Sequence, residues 1–136
     1  MNLRAFPETG NSALALQLHD RITTAGYRFL HELWPRLIDS WSDGIGNIPA
    51  AQRALEAGAD HGDLVRLARA VAYETVFGML FHLDDDQPNE AARALPSWWL
   101  GEIDPAGNHT GRTLQGLYES LLTLDPSGRD GQDLWT

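Results

Sequence analysis

The segment Leu64 to Asp86, LVRLARAVAYETVFGMLFHLDDD, constrains the fold more than any other. It is long enough for about six helical turns. From Ala70 to Leu83 it is apolar on nearly every side. A helix that is apolar all round needs protein around it, so the segment is expected to be the central pillar of the fold. Within it lies Glu74, whose neighbours three and four residues away are Ala70, Val71, Phe77 and Gly78. A carboxylate in that setting is expected to be partly desolvated, its pKa raised, and paired with an arginine of the first helix, Arg21 or Arg28. The other reading is a pocket or hydrolase-like site around Glu74 and His82, with Glu74 as general acid, base or cation ligand. Arg66 and Arg69 mark an outer start of the pillar, and Gly78 suggests a close neighbour.

On the N-terminal side, Leu14, Leu18, Ile22, Ala25, Phe29 and Leu33 recur in steps of three and four. That spacing predicts an amphipathic helix over 12–33. At Pro35 the helix kinks, or a second one starts with Pro35 in its first turn, and the pattern resumes through Leu37, Ile38 and Trp41. Pro49 to Ala57 reads as a short helix stopped by Gly58, and Asp60 or Asp63 as the cap of the pillar. Trp98 to Ile103, the turn residues Asp104-Pro105-Ala106-Gly107-Asn108, and His109 to Leu114 predict a small β-hairpin. Leu114, Leu117, Leu121 and Leu124 predict a last helix. Residues 1–10 and 126–136 read as loosely ordered arms. The expected fold class is mainly α: a small helical bundle of two long helices, one kinked at Pro35, plus a C-terminal helix and the hairpin near 98–114. The length of 136 residues fits a single domain.

Charge and composition narrow the chemistry. The net charge is −9, and all ten basic residues are arginine. Acidic side chains concentrate after residue 83, which disfavours nucleic acid and anionic membrane as partners and favours a basic protein. Without lysine or cysteine there are no Schiff-base lysines, cysteine nucleophiles, disulfides or cysteine zinc sites. No apolar run is long enough for a membrane span, and the N-terminal residues do not read as a signal peptide; the cytoplasm is the expected location.

No catalytic motif is present, so a non-enzymatic role is expected, with no cofactor. His82 with Asp84, Asp85 and Asp86 has metal-compatible side chains but not the spacing of a metal site. The three aspartates read better as a solvated loop or a partner contact. Trp98 and Trp99, if in a strand, point to opposite faces, so that one joins the core while the other stays exposed or meets a partner; the alternative is that both rings cover the helical core. The expected contact surface therefore comprises Asp84, Asp85, Asp86, Trp98, Trp99, Glu102 and Asp104. In composition the chain is similar to small acidic bacterial accessory proteins, such as the immunity proteins of toxin systems. That resemblance implies an immunity-like, antitoxin-like or regulatory protein-binding module. A homodimer that shares the burial of the pillar is a further expectation.

Overall fold

The structure, a computed structural model, describes residues 23–84 and 92–136. The first helix, α1, spans Thr24–Leu33. Thr23 is extended, with φ −67° and ψ 159°, and its side-chain oxygen accepts from Gly26 N at 2.9 Å. This is an N-cap that satisfies one of the orphan donors of the first turn. It corrects the expected uninterrupted helix over 12–33: the helical path does not pass through Thr23, and residues 12–22 lie outside the described chain. The arm expected over residues 1–10 lies outside it too.

Pro35 neither ends the helix nor starts a separate one. The chain widens into a π-helical turn, Trp34–Ile38, in which Asp39 N donates to Trp34 O at 2.8 Å. Proline has no N–H and its ring crowds the preceding turn; the wider turn makes room for it. Two short helices follow, α2 (Trp41–Gly44) and α3 (Pro49–Glu56), before Gly58 reverses the chain at φ +99°. Asp60 Oδ2 accepts from Asp63 N and caps α4, His61–Asp84. The hairpin pairs β1 (Gly101–Ile103) antiparallel with β2 (His109–Thr113). Its register shifts between Gly101 and Ile103, and Gly111 in β2 sits at φ +84°, as a β-bulge requires. The last helix, α5, is a single turn, Leu117–Ser120. The fold is mainly helical with a small antiparallel hairpin, as the pattern predicts.

The core gathers Tyr27, Leu30, Leu33, Trp34 and Ile38 from the first helix and its π turn, Tyr73 and Leu80 from α4, and Leu117, Leu121 and Leu124 from the C-terminal region. Trp34 is at its centre. Its ring stacks near Tyr73 with centroids 6.2 Å apart, and its indole N–H donates to Leu121 O at 2.8 Å.

The tail beyond Pro126 departs from the expected loose arm. Leu134 is buried in the core, and Trp135 meets Tyr73 edge-on. Asp125, also buried, accepts from Ser127 N, Ser127 Oγ and Gly131 N at 2.9 Å each. One carboxylate thus organises the turn that brings the tail back.

Candidate functional site

The pillar is much less enclosed than its composition implies. Of its 24 residues only Tyr73 and Leu80 are buried. Glu74 is exposed, which corrects the expected buried carboxylate. Successive helical residues turn by about 100°. With Tyr73 and Leu80 facing the core, Glu74 falls on the outer face with Val71 and Gly78. Its side chain forms no ion pair with any described residue; Arg28, one expected partner, pairs with Glu32 at 2.9 Å. Arg21, the other, lies outside the described residues. Glu74 instead lines a shallow cleft of about 370 Å³ with Ala70, Val71, Thr75 and Trp135. His82 is also exposed and does not line it. Eight residues of helix separate the two groups by about 12 Å, so they do not form one site.

The half-buried ion of the pillar is Arg69, which the sequence reading placed at the surface. Its side chain is only 12% exposed. Nη2 donates to Asp39 Oδ1 at 2.8 Å and Nη1 to Asp133 Oδ2 at 2.6 Å. One guanidinium fork therefore joins α4, the π turn and the tail, a geometry that lysine does not offer. Burial opposes the charge of Arg69, but the hydrogen bonds to Asp133 and Asp39 outweigh it and raise its pKa. Burial likewise opposes ionisation of Asp133, and the bonded Arg69 prevails, holding the carboxyl below its usual range.

At the other end of α4 the acidic candidates carry out internal work. Asp84 Oδ2 accepts from Gly116 N at 2.6 Å and ties the end of α4 to the start of α5. Asp85 and Asp86 lie outside the described residues. Glu102 is buried, not presented to solvent, and is bound by Arg112, whose Nε lies 2.8 Å from Oε1. The Arg112 guanidinium holds the Glu102 carboxyl below the usual range. Asp104 Oδ1 accepts from Ala106 N and Asn108 N at 2.9 Å each, which shapes the hairpin turn.

The tryptophans behave differently. Both precede β1, so the opposite-face expectation for a strand does not apply, and both are exposed. Trp98 Nε1 donates to Leu83 O at 3.1 Å, and its ring lies 5.3 Å from that of His82. Trp99 folds over Gly101 so closely that a Cβ there would overlap its ring, and its other neighbour is His109, with centroids 5.8 Å apart. Leu95 and Ile103 are exposed in the same stretch of chain, and these four side chains are 46–68% exposed. The sequence does not mark Leu95 and Ile103 as contact residues: Pro96 and Ser97, and Gly101 and Glu102, separate them from the Trp98-Trp99-Leu100 run. Among the described residues no group of three or more His, Asp or Glu side chains is placed to hold a metal, and no helix is long and apolar enough to cross a membrane. Comparison with protein-family models, curated proteins and solved structures finds no match to this chain.

Proposed function

We propose that this chain is a non-enzymatic, cytoplasmic protein-binding module whose contact surface is the aromatic apron of Leu95, Trp98, Trp99 and Ile103. The carrying observation is that four large apolar side chains stand exposed within nine residues, two of them tryptophans held in place by Leu83 O and Gly101. Contiguous exposed apolar patches mark interaction sites, and tryptophan is enriched among residues that dominate binding energy. The fixed rings lose little entropy on binding. The net charge of −9 favours a basic partner and speeds encounter with it at low salt. The nearby acids serve internal contacts, so the apolar apron supplies affinity and the overall field supplies steering.

The test uses Trp99→Ala combined with Ile103→Ser, both at exposed positions. The partner is captured on the parent protein and identified, and its Kd is then measured with the purified pair. The double variant should bind at least about tenfold more weakly, ~1.4 kcal/mol, with an unchanged melting temperature. Equal Kd values for parent and variant would remove this reading.

A further inference from the structure

The cleft between α4 and the tail brings three kinds of surface together. Ala70 and Val71 give it an apolar lining, Glu74 a carboxylate and Trp135 an indole ring. Thr75, the fifth lining residue, donates its hydroxyl proton to Val71 O at 2.8 Å and is left as an acceptor. Trp135 meets Tyr73 with ring planes at 83° and is 58% exposed, so Tyr73 does not cover both faces of the indole. Glu74 forms no ion pair with any described residue. Its charge adds to burial in raising the pKa of the adjacent Tyr73, so the carboxylate acts on its surroundings as an uncompensated negative charge. The nearest cation along α4, Arg69, is already held between the carboxylates of Asp39 and Asp133; that group as a whole is negative and does not repel a second cation.

We propose that this cleft receives a guanidinium group, the arginine side chain of a partner polypeptide. A guanidinium is planar: it lies on an aromatic face and at the same time presents paired N–H donors at its edge to a carboxylate. Trp135 supplies the face, Glu74 the carboxylate, and Ala70 with Val71 the apolar surface for the methylene stem. Lysine offers a more strongly hydrated point charge without the plane. Methylated ammonium groups are held by cages of aromatic rings, and here one indole is the whole aromatic lining. The depth of the cleft selects the source. Pockets for free ligands enclose roughly 70–90% of the ligand surface, and a shallow cleft leaves a free molecule partly in water. A side chain delivered by a larger partner needs only its stem and tip covered. The net charge of −9 draws basic proteins toward the site. Nine residues of α4, about 14 Å of rise, separate Glu74 from Leu83, whose carbonyl holds Trp98. The assignment rests on the protein-binding reading for the kind of partner, and on none of the apron's residues for its chemistry.

The test titrates the isotope-labelled full chain with N-acetyl-arginine amide and follows the Trp135 indole N–H and the backbone amides of Ala70, Val71, Glu74 and Thr75 by NMR. These signals should shift together and saturate at a roughly millimolar Kd, the scale of one side chain's contacts. The citrulline analogue keeps the shape without the charge and should bind at least about tenfold more weakly; the lysine analogue should also bind more weakly. Glu74→Gln, at an exposed position, should keep the parent's melting temperature and weaken the arginine probe by about tenfold. Trp135→Leu should weaken it too; because Trp135 also packs on Tyr73, Glu74→Gln carries the decision. Trp99→Ala with Ile103→Ser should bind the probe as the parent does. No saturable shift, equal binding of citrulline, or unchanged affinity in Glu74→Gln would overturn the site and leave the apron reading standing. Lysine binding as tightly as arginine would overturn guanidinium as the ligand. Shifts at Trp98 and Trp99 in place of Trp135 would move the arginine to the apron and overturn the cleft. Free agmatine binding far more tightly than the capped residue would overturn a polypeptide as the source.

Discussion

Trp34 and Arg69 each hold several segments together, and each should be costly to replace. The Trp34 indole fills the centre of the core and donates to Leu121 O. Trp34→Phe keeps an apolar ring but leaves that carbonyl unbonded and some volume empty. The hydrogen-bond loss alone should cost about 1–3 kcal/mol, and the lost volume adds to it. The change should appear as a lower urea midpoint at constant slope. Arg69→Met removes the cation between Asp39 and Asp133. A fully buried pair broken in this way costs about 3–5 kcal/mol; here Asp39 is partly solvated, so about 2–3 kcal/mol is expected. In a background of Asp39→Asn and Asp133→Asn the same substitution should cost clearly less. That double-mutant comparison isolates the ionic coupling from the packing of the arginine stem.

At the scale of elements, the legible parts were those fixed by local chemistry. Asp104-Pro105-Ala106-Gly107-Asn108 states its turn in five residues, and Pro49 and Gly58 bracket α3. The boundary at Thr23 is hidden in the sequence because its neighbours continue an apolar period; its capping hydroxyl competes with that period and wins. The orientation of α4 was not legible for a different reason. Where apolar residues occur at every angle, periodicity does not say which side faces the core, so the pattern reads Glu74 as buried and Arg69 as outer, and the fold reverses them. The apron was half legible: Trp98 and Trp99 were visible as candidates, but the internal engagement of Asp84, Glu102 and Asp104 depends on long-range placement. The tail RDGQDLWT reads as polar, and its docking depends on one leucine and on Asp125 reaching Gly131 N. Leu134→Ala should therefore cost about 2–5 kcal/mol, and truncation after Asp130 should cost more, since it also removes Asp133 from Arg69. A truncated chain with the parent's melting temperature would show the tail to be dispensable.

For the molecule as a whole, the shifted groups define how stability follows pH. Asp133 is held below its usual pKa, against burial, by Arg69, and Glu102 is held down by Arg112. A carboxylate with a depressed folded pKa stabilises the fold above its unfolded value, near 4, and loses that contribution as pH falls through the folded value. His31 is lowered by burial, which outweighs the pull of Glu32. Its neutral form belongs to the fold, so protonation of the unfolded chain below about pH 6.5 also favours unfolding. Tyr27 and Tyr73 are raised by burial, and their contribution is lost as pH rises beyond about 10. Acid also relieves repulsion in a chain of charge −9, which opposes the first two effects over long range but is screened at moderate salt. The melting temperature at moderate salt should therefore be highest near neutrality, decline slightly below pH 6.5 and fall steeply below about 4. Arg69→Met removes the cause of the Asp133 shift, so the variant should start lower at pH 7 and show a shallower acid limb. His31→Gln should instead flatten only the region around pH 6. An acid limb in Arg69→Met as steep as the parent's would mean that the protons taken up on acid unfolding belong to carboxylates other than Asp133.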